Sequence, residues 1–144
     1  MRRLNGEVVV LIGSTGGIGA AILDEIKDES VALALASHRT EELDEQARAE
    51  KERGRSVFAR ALDGTDEDAT RDFLSAAREE LGRIDVLINL AGLSSPGKVQ
   101  DLGVDEFDRM MALNVRTTFV ATKHFLNLVD PEVGGQILNL SSVA

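Results

Sequence analysis

Seven residues, Gly13-Ser14-Thr15-Gly16-Gly17-Ile18-Gly19, combine glycine spacing with small hydroxyl side chains directly after the apolar run Val8-Val9-Val10-Leu11-Ile12. A turn of this kind suits phosphate chemistry. Glycine admits positive φ, and the missing Cβ lets a pyrophosphate come against the backbone. A helix starting there presents free N–H groups with a partial charge of roughly +0.5. Ile18, Ile22 and Ile26 recur every four residues and mark that helix. The plain structural use of the same glycines is a tight turn with close helix-to-sheet packing. A triphosphatase P-loop does not fit, because no Lys-Ser or Lys-Thr follows Gly19.

Arg39 stands twenty positions beyond Gly19, in Ser37-His38-Arg39-Thr40 at the end of a second apolar run. At this place a dinucleotide fold selects between ribose forms: an acid accepts from a 2′-OH, whereas a base receives a 2′-phosphate. The triplet is neutral to basic and predicts NADP(H) over NAD(H). A charge-assisted bond from Arg39 would contribute about 1.5–3 kcal/mol; a solvated loop arginine is the other use of that residue. His38 lies adjacent, on the adenosine side.

The elements that must hold these groups follow from hydrophobic period. Short apolar runs at 8–12, 31–36, 57–62, 84–90 and 137–140 alternate with longer amphipathic stretches. Four-residue recurrences at Ala69, Phe73, Ala77 and Leu81, and at Phe107, Met111, Val115 and Phe119, predict two further helices. Thr65 with Asp68 reads as a variant capping box, and Gly54 and Gly82 sit where helix C-terminal glycines belong. Pro96 and Pro131 fall in loops. Strands apolar on both faces and joined by helices predict an α/β fold, a doubly wound parallel sheet in the pattern βαβαβαβαβ. Right-handed crossovers then give strand order 3-2-1-4-5. Residues 1–144 read as one domain without linker or repeat.

Charge and composition exclude several functions. The balance is 16 Lys+Arg against 25 Asp+Glu, a formal −9. With a pI of about 4.7 and Arg2-Arg3 as the one adjacent basic pair, no nucleic-acid backbone is expected as partner. Zero Cys excludes disulfides and thiol chemistry, two His leave little for a metal centre, and no metal is expected. Arg2-Arg3 before an apolar run imitates a secretory signal, but the run lasts five residues and no cleavage pattern follows. No stretch is long and apolar enough to predict a membrane span. The expectation is a cytoplasmic globular protein.

These residues together resemble the short-chain dehydrogenase/reductase family, over the whole chain. Gly13, Gly17 and Gly19 match its TGxxxGxG spacing, with Ile12 where Thr is usual. Leu62-Asp63 looks like the acidic site that accepts from the adenine amino group. Asn89-Leu90-Ala91-Gly92 is similar to the family's Asn-Asn-Ala-Gly, with Leu in place of the second Asn. Asn114 stands where the family places a catalytic Asn, and Ser142, second of the pair Ser141-Ser142, where it places the catalytic serine. The resemblance implies a Rossmann-type fold with Ser14, Thr15, Ile18, Asn89, Ala91 and Gly92 also against the cofactor. It implies hydride transfer between a nicotinamide and a small carbonyl or alcohol, and a homo-oligomer for the full-length protein. Each residue has a bland alternative: Asp63 could cap the turn ahead of Thr65, Asn114 could be a buried amide satisfied by a strand, and the serine pair could simply leave a strand.

The same resemblance implies a Tyr-x-x-x-Lys pair, with Tyr as proton donor and Asn114 holding a relay water. The chain contains zero Tyr and ends two residues after Ser142. The expectation is a domain incomplete at its C-terminus relative to the family, truncated after the fifth strand, and inactive alone. His124 does not replace the donor, because it lies ten positions, roughly 15 Å, beyond Asn114 along one predicted helix. A non-catalytic dinucleotide-binding sensor or interaction module is the alternative.

Overall fold

The run of five consecutive apolar residues at 8–12 is buried along its whole length, as a strand covered on two faces must be. The structure is a computed structural model that describes residues 4–142, so the Arg2-Arg3 pair lies outside the described residues. Its elements are β1 (Val8–Ile12), α1 (Gly17–Glu25), β2 (Ala32–Ser37), α2 (Thr40–Glu52), β3 (Val57–Ala61), α3 (Glu67–Leu81), β4 (Val86–Asn89), α4 (Val104–Met111), α5 (Thr117–Leu126) and β5 (Gln136–Asn139). A 3-10 turn, Val99–Asp101, precedes α4, and a π-helical segment, Ala112–Arg116, joins α4 to α5. All strand pairs are parallel, in the order β3-β2-β1-β4-β5, as predicted. This is a Rossmann-type arrangement.

Alternation along β1 divides the interior in two. Val8, Val10 and Ile12 face a layer built by Phe73, Leu74 and Ala77 of α3 with Ala121 and Phe125 of α5. Val9 and Leu11 face Leu23 of α1 and Leu43 of α2. Asp85 ties the strand ends together at the amino edge: its Oδ2 accepts from the Val8 N–H at 2.8 Å, while Arg83 Nη2 reaches its Oδ1 at 2.6 Å.

One local reading is corrected, and two helical stripes acquire a direction. The cap of α3 is Asp66, whose Oδ1 accepts from the Ala69 N–H at 3.0 Å, and Thr65 turns back to Asp63 instead. In α1 Gly19 and Leu23 are buried, Ile22 and the C-cap Ile26 pack partly buried against the same layer as Leu23, and Ile18 is exposed beside the turn. The stripe Phe107, Met111, Val115 and Phe119 is 44–65% exposed, because Thr117, Val120, Ala121 and Phe125 form the face that meets the sheet. A four-residue period reveals an apolar stripe without its direction, and the π segment further shifts the phase between α4 and α5. The expected C-terminal glycines do adopt positive φ, +86° at Gly54 and +82° at Gly82. Among the described residues no helix is long and apolar enough to cross a membrane.

Candidate functional site

Chain geometry at the carboxyl end of β1 is fixed by two amides, since the N–H groups of Gly13 and Ser14 both donate to the Ala36 carbonyl, at 2.8 and 3.1 Å. Gly13 has φ +90°, and a Cβ there would stand 2.7 Å from the Ala91 nitrogen. Only glycine fits both demands. A Cβ on Gly19 would fall 2.1 Å from the Ser14 carbonyl oxygen, so helix α1 lies directly against the turn. Gly17 differs, because a Cβ there would meet nothing within 4 Å. Gly16 caps α1 without a side-chain bond, which leaves the first helical N–H groups to a ligand or solvent. Behind the turn, Ser14 is fully buried and its carbonyl accepts from Gln46 Nε2 of α2 at 3.0 Å.

The walls come from the ends of the neighbouring strands. Ser37 Oγ accepts from the Arg39 N–H at 3.1 Å and shares a 2.6 Å hydrogen bond with Thr15 Oγ1, so the exit of β2 is stitched to the glycine turn. Arg39 itself is half exposed, and its Nη1 lies 3.1 Å from Glu42 Oε2. Asp63 Oδ1 accepts from Thr65 Oγ1 at 2.7 Å and from the Thr65 N–H at 3.0 Å. These two bonds, with His38 nearby, hold its carboxyl below the ordinary carboxylate range. The turn-capping use of Asp63 is therefore realised through one oxygen.

On the other wall Asn89 is buried and donates from Nδ2 to Asn139 Oδ1 at 2.7 Å, across the register that pairs the two residues. Asn114 lies in the π segment and its amide makes two bonds to one residue: Oδ1 accepts from the Leu93 N–H at 2.9 Å and Nδ2 donates to the Leu93 carbonyl at 2.8 Å. A Cβ on Gly92 would come within 2.8 Å of that Oδ1. Ser142 is exposed, three residues past the end of β5 and thus at the same carboxyl edge as residues 90–92. His124 is engaged elsewhere, its Nε2 3.1 Å from Glu67 Oε1, and Lys123 Nζ approaches the same oxygen at 2.8 Å; these bonds lower the Glu67 pKa, Lys123 first.

A cleft of about 660 Å³ opens along this edge and brings together Gly13, Thr15, Arg39, Asp63, Ala91 and Gly92. Ser14, Gly17, Ile18, Gly19, Asn89, Asn114 and Ser142 do not line it. Arg109, Leu113 and Thr117 line it and were not anticipated. They recur every four residues, across the end of α4, the π segment and the start of α5. The cradle fits a dinucleotide: an uncapped helix start, backbone approach that only glycine permits, and one cation, Arg39, and one carboxylate, Asp63, at the exits of β2 and β3.

A family model described as short chain dehydrogenase matches residues 7–144. The chain belongs to the short-chain dehydrogenase/reductase family. It is 32% identical to an uncharacterized oxidoreductase of Bacillus subtilis, YxbG, over 100% of this chain and 53% of that protein. The fold is shared with a short chain dehydrogenase from Burkholderia cenocepacia solved in complex with NADP, at 27% identity and TM-score 0.89, over 99% of this chain and 58% of that one. It is shared equally with a 7α-hydroxysteroid dehydrogenase complexed with NADH and 7-oxo glycochenodeoxycholic acid, at 25% identity and TM-score 0.90, over 97% and 55%. The chain thus spans a little over half the length of the relatives it matches.

Proposed function

We propose that residues 1–144 form one nicotinamide-dinucleotide-binding domain that favours NADP(H) over NAD(H), and that the whole protein transfers a hydride to or from a small carbonyl or alcohol. The carrying observation is a single cleft in which the uncapped glycine turn meets Arg39 at the exit of β2. When bound, the nicotinamide ring supplies or accepts the hydride at its C4. The remaining roles belong to the chain. The amides at the start of α1 face the pyrophosphate, with Gly17 leaving the approach open. Arg39 receives the 2′-phosphate, and Asp63, ionised across the neutral range, accepts from the adenine amino group. Ala91 and Gly92 would leave the backbone after β4 open to the dinucleotide, and Asn89 holds that strand exit to β5 through Asn139.

Ser142 hydrogen-bonds the substrate oxygen, stabilising developing alkoxide charge. Asn114 acts by fixing the corner at Leu93, where the relay water implied by the family resemblance would be held. No tyrosine is present among the 144 residues to donate the proton. The chain by itself is therefore expected to hold cofactor without turnover, since general acid catalysis contributes about 10²- to 10⁴-fold. The exposed stripe of Phe107, Met111, Val115 and Phe119 supports assembly of the whole protein as a homo-oligomer. Titrating NADPH and NADH against the parent chain and Arg39→Ala tests the cofactor reading. NADPH should bind more tightly to the parent and lose about ten- to a hundred-fold in the variant. Equal affinities in the parent, or an unchanged NADPH affinity in the variant, would refute it.

A further inference from the structure

The backbone of Arg39 is pinned while its side chain has a rival partner. Ser37 Oγ holds the Arg39 N–H, and Thr15 holds Ser37, so the position of the arginine relative to the glycine turn is set. The guanidinium, however, is drawn by Glu42 one helical turn along α2, at 3.1 Å, with both side chains about half exposed. We propose that Glu42 is a specificity-setting residue: by holding the Arg39 guanidinium it weakens the 2′-phosphate site and narrows the discrimination between NADPH and NADH. This rests on the reading of Arg39 as the phosphate-binding cation.

Two effects act in the same direction. A 2′-phosphate must compete with the Glu42 carboxylate for the guanidinium, and the carboxylate also repels a group of charge about −1.5 to −2 brought to the same cation. NADH carries no such group and meets neither effect. The pair is half exposed, so its influence is of the size measured for exposed ion pairs, about two- to five-fold in affinity, and it shrinks with added salt. Glu41 supplies a comparison, because it places the same charge in the same first turn of α2 and forms no ion pair with Arg39 among the described residues.

The experiment is a binding titration of the 144-residue chain with NADPH and with NADH, at low and at high salt, followed by calorimetry or by reduced-nicotinamide fluorescence. The parent is compared with Glu42→Gln, Glu42→Asp, Glu41→Gln, Arg39→Ala and the double variant Arg39→Ala/Glu42→Gln. Glu42→Gln should tighten NADPH by about two- to five-fold at low salt and leave NADH unchanged. Glu42→Asp should stay close to the parent, and Glu41→Gln should give a smaller gain than Glu42→Gln. In the Arg39→Ala background most of the gain should vanish. NADPH affinity unchanged or weakened by Glu42→Gln, or an equal gain from Glu41→Gln, overturns the inference. If that happens while Arg39→Ala still selectively weakens NADPH, the cofactor reading survives and only the role of Glu42 falls. If Arg39→Ala leaves NADPH untouched, both fall together. Melting curves of each variant separate folding losses from binding changes.

Discussion

Two glycines of one turn should respond to the same substitution in opposite ways. A Cβ on Gly19 would lie 2.1 Å from the Ser14 carbonyl oxygen, 2.6 Å from its carbon and 2.9 Å from its Cα, all backbone atoms that cannot rotate aside. Reaching an ordinary contact means displacing the turn against α1 by about 1 Å, and overpacking of this kind typically costs about 1–3 kcal/mol. The carbonyl is also tied to Gln46, which resists the shift. For a chain of 144 residues that corresponds to a fall in Tm of about 3–9 °C. Gly17→Ala meets nothing within 4 Å and sits in the first turn of α1, so stability should hold or rise by about 0.4–1 kcal/mol. On the proposed reading its methyl would instead meet the approaching pyrophosphate, removing charge-assisted bonds and lowering affinity for NADPH and NADH alike by about ten- to a hundred-fold. Thermal melts and cofactor titrations on both variants give the answer. A Gly19→Ala protein as stable as the parent, or a folded Gly17→Ala protein with undiminished affinity, would refute the assignment of the turn.

Three further outcomes follow from single contacts. Gln46→Leu removes the donor to the buried Ser14 carbonyl and should cost about 1–3 kcal/mol, read as a lower midpoint in urea; an unchanged midpoint would show that this bond does not support the turn. Asn114→Ala frees both backbone groups of Leu93, so the Leu93 amide should exchange hydrogen faster while the amides of α3 keep their protection. Asp63 has its pKa lowered chiefly by Thr65, so its stabilisation is present above the ordinary carboxylate value of about 3.9 and is lost as pH falls through the lower folded value. Asp63→Asn should therefore flatten the stability profile below about pH 4, and an identical acid limb in the variant would contradict this.

What the sequence revealed depended on whether a signal was local. Five consecutive apolar residues marked β1, and glycines at 13, 17 and 19 marked the turn, because burial and missing side chains write themselves into adjacent positions. Strand order followed from crossover handedness, which no residue has to encode. Arg39 was placed by counting from Gly19, but its pairing with Glu42 was legible only as a spacing of three on a helix. The outward turn of the Phe107 stripe could not be read, since the choice between two faces is made by Ala121 and Phe125 fitting the sheet. Asn114 was placed by the family's pattern, yet its partner Leu93 lies 21 positions away and belongs to tertiary structure. Asp63 shows both outcomes at once, with one oxygen bound into the Thr65 turn and the carboxylate still on the cleft wall.

The most direct test is amide hydrogen exchange of the chain with and without saturating NADPH. Slower exchange should be confined to the backbone bordering the cleft, above all residues 13–19, the segment 38–40 at the exit of β2, residues 62–65 after β3 and residues 90–93. Exchange in the loops at the opposite, amino edge of the sheet should not change. NADPH that protects that opposite edge, or that binds without slowing any amide between 13 and 19, would contradict the glycine turn as the dinucleotide site.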